Sequence, residues 1–555
     1  MTHTVATEIA RQITHRAIPR IYHVPGESFL GLLDALRDES SRLIVARNEG
    51  GAGFMALAES RVTGNTGVAM VTRGPGAANI AIAIHTAFQD ATPLVVFVGL
   101  IPTTDRERES FQEFDIHAWF GSTAKAVMVL DHPGSSAERV SRAFDIAQSG
   151  RPGPVVIGLP ENLLAVPVAK APAFPPKHTP SRILGPEETT RFAERLAAAE
   201  RPVFVVGGEC WDTGSAADLR RLAEQAAIPV VSDFRSHDAF PHSSSAWVGS
   251  LGYGRNEGAR RAYDEADLVV YLGTARKDVL SDGFLLGNGA ESVVVVNPDP
   301  DLREHTGQLD THLVSRPDEW LQGFAGVGAG AGAASGAAHA HRTARLAELR
   351  ATYLAWSQPR PSAPDVLSRE TVFGALQEAL PNDAIITAGA GNYVIGALRY
   401  VHHEVPRSFI GPRNGAMGLG VPGAVAASLA FPERTVVALA GDGCFGMNGQ
   451  ELATLTMFQG RALVFLLDNG GYGTIHAHQE RSFPDRPAGT YLQNPDFAGI
   501  ARAHGIVAHR IEQLDELAPR IAAALASPGS TFFHILLPRI NEGLGLHDGS
   551  ETETR

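Results

Sequence analysis

Cysteine is almost absent: Cys210 and Cys444 are the only two in 555 residues. They lie far apart, which excludes a disulfide framework or a zinc-ligand spacing and fits a reducing compartment. A surplus of positive charge is lacking as well. Lys and Arg number 47 against 60 Asp and Glu, giving a net charge of −13 and a pI near 5.9. That balance argues against a general affinity for nucleic acid or an anionic membrane, so an anionic ligand must be held locally. Long apolar runs are missing too. Stretches such as Leu94 to Ile101 are too short to span a bilayer, and the opening MTHTVATEIARQITHRAIPR has no apolar signal core. A cytoplasmic protein with no membrane and no nucleic-acid partner is expected.

What is present is 44% hydrophobic and 19% charged residues with 58 glycines, the composition of a globular α/β protein with many tight strand-to-helix turns. The length calls for more than one domain. Apolar runs that read as buried strands alternate with helical patterns from end to end. Phe29, Leu32, Leu33 and Leu36 keep the i, i+3, i+4, i+7 spacing of a helix laid on a sheet, and Leu94 to Leu100 is an all-apolar strand of a parallel sheet. The fold class is therefore α/β, with three open, mostly parallel, doubly wound sheets. Expected boundaries are 1–172, 183–322 and 366–540, with a linker and lead-in helix at 323–365 and a tail at 541–555. A Pro-rich stretch, Ala171 to Ser181, and a Gly/Ala-rich one, Phe324 to Ala340, read as interdomain linkers.

Chemistry concentrates between Ala440 and Ile475. A strand from Thr435 to Ala440 runs into Gly441-Asp442-Gly443, a helix is expected from about Asn448 to Phe458, and a second strand, Arg461 to Leu467, ends in Asp468-Asn469-Gly470-Gly471-Tyr472-Gly473. Two strand ends thus carry oxygen ligands. Mg²⁺ takes octahedral oxygen coordination with one or two protein carboxylates and keeps substrate phosphates among its ligands. Asp442, the Asn469 side-chain oxygen and a carbonyl near Gly471 meet that demand. The glycines let backbone approach a phosphate, and amides at the start of the following helix can donate to anionic oxygens.

This stretch resembles the thiamine diphosphate motif, and Met447-Asn448, Gln450-Glu451-Leu452-Ala453-Thr454 and Leu466-Leu467-Asp468-Asn469 resemble the wording of the acetolactate synthase group. The resemblance spans nearly the whole chain. It implies pyrimidine-binding, central and diphosphate-binding domains, with thiamine diphosphate and Mg²⁺ as cofactors. Arg47-Asn48-Glu49-Gly50-Gly51-Ala52 is similar to the family's RHExGAA, making Glu49 the acid that bonds N1′ of the aminopyrimidine. On position alone Glu49 could equally be a helix-start residue favoured by the macrodipole. Thr72 to Asn79 is similar to SGPGATN, Phe111-Gln112-Glu113 to AFQE, and Gly415-Ala416-Met417-Gly418 to the GTMG run.

The implied cofactor-binding residues are Pro25, Gly26, Glu49, Asn79, Gly391, Asn392, Gly415, Met417, Gly441, Asp442, Gly443, Cys444, Asn469, Gly471, Tyr472 and Gly473, with Asp442, Asn469 and Gly471 on the metal. Phe111 and Gln112 approach the substrate. Met417 is the wedge that bends the cofactor, or else a core filler. Arg73 stands where the group has a small hydroxyl residue. It is either a bidentate clamp for a substrate carboxylate or a surface or interface arginine. His478 occupies the place of an acceptor-selecting tryptophan, which puts the branched-chain biosynthetic role in doubt. Cys444 replaces a serine, and Asp468 a first Asn. The family's central domain can hold FAD, but no clear motif supports it here.

The activity implied is decarboxylation of a pyruvate-like 2-oxo acid with transfer of the acyl carbanion to a carbonyl acceptor, in a homodimer or homotetramer with sites between subunits. Simple decarboxylation releasing an aldehyde is the alternative. No adjacent His-His pair follows the Gly99 strand, where pyruvate decarboxylases have one, so carboligation is preferred. A silent scaffold is disfavoured by Glu49, Asp442 and Asn469 together. A dinucleotide enzyme lacks its G-x-G-x-x-G.

Overall fold

The computed structural model describes residues 3–37, 42–177, 185–208, 210–325, 334–359 and 366–540. The expected tail at 541–555 lies outside them. The described residues form three six-stranded sheets, every pair of neighbouring strands parallel.

The first sheet contains β1 (Arg20–His23), β2 (Arg42–Val45), β3 (Gly67–Val71), β4 (Leu94–Leu100), β5 (Ala126–Val129) and β6 (Pro154–Pro160) in the order β2-β1-β3-β4-β6-β5. The third contains β13 (Ile385–Ala388), β14 (Phe409–Ile410), β15 (Val436–Gly441), β16 (Leu463–Asp468), β17 (Val507–Ile511) and β18 (Thr531–Leu536) in the same relative order, β14-β13-β15-β16-β18-β17. The second contains β7 (Pro202–Val206), β8 (Val230–Ser232), β9 (Trp247–Ser250), β10 (Leu268–Leu272), β11 (Ser292–Val296) and β12 (Thr311–Leu313) as β12-β11-β10-β7-β8-β9, the doubly wound order that reverses between its first and fourth strands. The two outer sheets therefore share one topology and the central one differs.

Strands β3, β4, β6, β15 and β16 are buried along their whole length, which explains their continuous apolar runs. One core spans the outer domains: the helix Glu49–Thr63 packs on the helix Gly420–Ala430, with Phe54, Leu57, Val425 and Ala426 fully buried between sheets. Small residues on both helices permit that approach.

Two expectations shift. The helix after Gly443 starts at Asp442 itself, runs to Asn448, passes through a tight turn at Gly449–Glu451 and resumes over Leu452–Met457. The glycines that read as a loop lie in or beside its first turn, where backbone N–H groups need no intrahelical partner. The Gly/Ala-rich stretch also gives way to structure at both ends. Phe324 lies in the helix Pro317–Ala325 and meets Phe192 edge-on and Trp320 at a tilt, and a helix runs from Gly336 to Ser357. Within it the Arg342 guanidinium donates to the Ala197 and Ala199 carbonyls at the end of the helix Pro186–Ala198.

Candidate active site

Strands β15 and β16 are paired with Gly441 opposite Leu467, so Asp442 and Asp468 emerge side by side at one edge of the sheet. Both carboxylates are buried. The Asn494 amide lies between them, its Nδ2 donating to Asp442 Oδ2 at 2.7 Å and to Asp468 Oδ1 at 2.8 Å. His534, from β18, holds the other Asp468 oxygen at 2.9 Å.

Electrostatics separates the two. Burial, reinforced by the charge of Asp468, pushes Asp442 up to about 6 even though the Asn494, Gly443 and Gly471 amides pull it down. Burial acts on Asp468 as well, but the hydrogen bonds from His534, Asn494 and Gly470 outweigh it and hold that carboxyl below its ordinary value. Asp442 is thus a desolvated carboxylate that no cationic side chain among the described residues offsets. Gly471 reaches it through its amide, while the half-buried Asn469 amide lies against Gly473, where a Cβ would come within 2.7 Å of it.

An oxygen donor set of one carboxylate, one amide and one carbonyl suits a hard divalent cation. Among the described residues no group of three or more His, Cys, Asp and Glu is placed to hold a metal, so a softer, all-protein cage is not what the site offers. By donor type these residues suit a hard cation such as Mg²⁺ shared with a phosphate, and the Gly471 carbonyl takes the Gly473 amide at 3.0 Å.

The neighbouring loops are tied to this edge. Thr474 bonds both the backbone N–H and the side-chain oxygen of Asn392, at 3.0 and 2.9 Å. Tyr393 hydroxyl donates to Cys444 Sγ, which also takes the Gly418 amide. The Cys444 thiol is therefore engaged inside the protein. Protein packing alone already requires several motif glycines: a Cβ at Gly443 would stand 2.5 Å from the Tyr472 ring, at Gly441 3.0 Å from Tyr393 and at Gly389 2.1 Å from Cys444 Sγ. Gly415 differs, with φ +75° and open space for at least 4 Å around the place a Cβ would take. Half-buried Met417 packs on the core of the third sheet. His478 is exposed on the helix Gly473–Ser482 beside Arg481, at 2.5 Å, and burial followed by that guanidinium pushes its pKa down.

A second cluster forms at the equivalent edge of the first sheet. Glu49 begins the helix Glu49–Thr63, capped by Asn48, whose Oδ1 accepts the Gly50 amide at 2.8 Å. Asn79 Nδ2 donates to Glu49 Oε2 at 2.8 Å, and the other Glu49 oxygen would lie 3.3 Å from a Cβ at Gly76. The turn Thr72 to Asn79 and the Glu49 turn thus meet. Pro25 is exposed, and Gly26 presses on Thr72, where a Cβ would be 2.4 Å away. Arg73 is buried, its guanidinium already engaged by Glu161 at 2.6 Å, Gln112 Oε1 at 3.1 Å and Glu27 at 3.8 Å. Gln112 has φ +64°, a left-handed backbone that costs energy for a non-glycine residue. Phe111 is 78% exposed.

Among the described residues no hydrogen bond or ion pair joins Glu49, Asn79, Arg73 or Gln112 directly to Asp442, Asn469 or Asn392. Sequence reasoning missed Asn494, which sits in no motif, and His534; Asp468 was noted only as a departure from pattern.

The central sheet was expected to leave FAD open. At its switch point the loops after β7 and β10 close on each other: a Cβ at Gly208 would be 2.3 Å from the Gly273 oxygen, and one at Gly273 2.4 Å from the Gly207 oxygen. Trp211 Nε1 donates to the Gly207 carbonyl at 2.8 Å. The next helix, Thr213–Ala226, is capped by the Asp212 carboxylate, which takes the Ser215 amide at 2.8 Å. A carboxylate stands where a pyrophosphate would rest, so these loops do not fit a dinucleotide bound at the first strand-to-helix turn.

Comparison with known proteins agrees with this layout. Family models described as thiamine pyrophosphate enzyme, N-terminal TPP binding domain, central domain and C-terminal TPP binding domain match residues 3–119, 189–324 and 389–535. The chain is similar to an acetolactate synthase large subunit of Mycobacterium tuberculosis, with 30% identity over 540 residues, 94% of this chain and 86% of that protein. It is also similar to the acetolactate synthase isozyme 3 large subunit of Escherichia coli, with 29% identity over 536 residues covering 94% and 92%. A probable acetolactate synthase large subunit of Methanocaldococcus jannaschii shares 27% over 532 residues, covering 94% and 90%. The chain belongs to the thiamine pyrophosphate enzyme family and is a thiamine diphosphate-dependent enzyme of the acetolactate synthase-like type.

Proposed function

We propose that this enzyme decarboxylates a pyruvate-like 2-oxo acid and transfers the acyl unit to a carbonyl acceptor, using Mg²⁺ with its thiamine diphosphate, as a cytoplasmic homodimer or homotetramer. The observation that carries the reading is the pair of separated clusters: Glu49 with Asn79 at one sheet edge, and Asp442 with Asn469 at the corresponding edge of a sheet of the same topology. Two copies supply what one chain keeps apart, Glu49 of one facing the Asp442 cluster of the other. Large apolar side chains support that docking. Ile82, Phe111, Met447, Ile475, Phe483 and Tyr491 are exposed on or beside the segments that carry the two clusters, where an uncovered apolar patch marks an interaction surface.

Bound thiamine diphosphate supplies an electron sink for the carbon that loses CO₂. Asp442, the Asn469 amide and the Gly471 carbonyl would hold Mg²⁺ against its diphosphate. Gly391, Asn392, Gly415, Gly441, Gly443, Tyr472 and Gly473 would line that side, and Met417 would press between its rings. Glu49, oriented by Asn79, holds a proton at the aminopyrimidine. Pro25 and Gly26 border the same side.

Gln112 and Phe111 would meet the substrate. Of the two readings of Arg73, support is favoured: with Nη1 on Glu161 and Nε on Gln112 Oε1, it fixes the Gln112 amide so that Oε1 faces the guanidinium and the NH₂ group is left to donate. His478, exposed near the Asp442 edge, would face the acceptor.

Incubating the purified protein with thiamine diphosphate, Mg²⁺ and pyruvate, alone and with aldehydes or ketones, tests the reading. Mass spectrometry should show carbon-extended hydroxy ketone products. Release of aldehyde alone, with every acceptor, would contradict it.

A further inference from the structure

Glu451 lies in the tight turn that follows the Asp442 helix and is fully buried, and what engages its carboxylate is backbone and hydroxyl groups. It reaches across to the first domain. Oε1 accepts the backbone N–H groups of Arg47 and Asn48, each at 3.0 Å. Oε2 accepts the Thr454 hydroxyl at 2.6 Å, and the same hydroxyl lies 3.3 Å from the Val45 carbonyl, at the end of β2. The strand-to-helix turn that delivers Glu49 is thus held from outside at residues 45, 47 and 48, while Asn48 secures the amide of residue 50 from within.

An independent feature points the same way. A Cβ at Gly51 would stand 2.4 Å from Glu451 Oε1, so the first turn of the Glu49 helix is bare where the carboxylate enters. Backbone donors need partners, and here one fully buried side chain from another domain supplies both. Desolvation raises the Glu451 pKa against the hydrogen bonds from Thr454, Arg47 and Asn48.

We propose that Glu451 is a positioning residue for Glu49: by hydrogen bonding, it fixes the backbone immediately before Glu49 and so sets the direction of that carboxyl group. The proposal rests on the reading of Glu49 as the acid that serves the aminopyrimidine. It also makes a chemical distinction. In Glu451→Gln the amide oxygen can still accept both N–H groups, and its NH₂ can donate to Thr454 Oγ1 once that hydroxyl turns its proton to the Val45 carbonyl. In Glu451→Ala both amides lose their acceptor.

The test uses the full-length protein with two readouts. One is hydrogen–deuterium exchange of the amides of residues 45–54 without added thiamine diphosphate; the other is C2 proton exchange of the bound cofactor, followed by acid quench and NMR. Glu451→Ala and Gly51→Ala should speed exchange at residues 47 and 48 and slow C2 exchange at least tenfold, whereas Glu451→Gln should stay within about threefold of wild type in both. Thr454→Val, which leaves the turn's own residues in place, should show a smaller loss in the same direction and serves where the others fail to fold. Native C2 exchange in a variant whose amides 47 and 48 have lost protection overturns the proposal, as does a Gln variant as damaged as the Ala variant. If the variants change protection as expected but the wild-type protein shows no C2 exchange, the reading of Glu49 is overturned instead.

Discussion

Acid should weaken the joint between the central and C-terminal domains, and His403 gives the size of the effect. His403 is buried at that joint, its Nδ1 3.0 Å from Ser408 Oγ and its ring edge-on to His242, which stacks on Trp247 at 4.3 Å. Burial, and then the neighbouring His402, pushes its pKa down to about 3 from an ordinary 6.5. The folded protein therefore keeps the ring neutral while the unfolded chain takes a proton below about 6.5. Its contribution to stability is complete above the unfolded pKa and is lost as pH falls from there toward about 3. At pH 5 the difference in proton binding amounts to about 2 kcal/mol for this one group, a large share of a stability of roughly 5–15 kcal/mol. His237 and His242 act in the same direction, lowered first by burial and then by His403, with Arg235 adding to the effect on His237. Urea unfolding followed by tryptophan fluorescence at pH 7 and pH 5 checks this. His403→Gln should lose about 2 kcal/mol less than wild type between the two pH values. Equal pH dependence in the two proteins would refute the reasoning.

Other outcomes follow from the site. Asp442→Ala should weaken Mg²⁺-dependent binding of thiamine diphosphate by more than the roughly 10- to 100-fold typical of losing an outer-sphere partner, as read by fluorescence titration; native affinity at low Mg²⁺ would count against a ligand role. Arg73→Ser frees Gln112 and leaves Glu161 without its 2.6 Å partner. KM for the 2-oxo acid should rise about tenfold, the ratio given by about 1.4 kcal/mol, and an unchanged KM with unchanged kcat would return Arg73 to a purely structural role.

The fold was legible because buried parallel strands are written as unbroken apolar runs, and β4 falls on the expected residues. Short edge strands were not. β14 has two residues and β12 three, too few for a periodicity to show. The site was legible where chemistry clusters locally: Asp442 at a strand end, Glu49 at a helix start. It was illegible where partners are distant in the chain. Asn494 meets Asp442 from 52 residues away and Glu161 meets Arg73 from 88, and neither separation follows from a local pattern. For Arg73 a substrate clamp and a structural arginine stayed equally open, because a sequence shows the guanidinium but not the carboxylates folded against it. For the glycines of Gly441-Asp442-Gly443 the sequence did not show a second reason for lacking a Cβ: Tyr393 and Tyr472 fill the space it would need.

The most direct measurement is C2 proton exchange of bound thiamine diphosphate in wild type and Glu49→Gln. Exchange should be fast in wild type and slowed about 10²- to 10⁴-fold in the variant, with circular dichroism and thermal midpoint unchanged. An equal exchange rate in the two proteins, each with cofactor bound, would contradict the assignment of Glu49 and the two-copy site built on it.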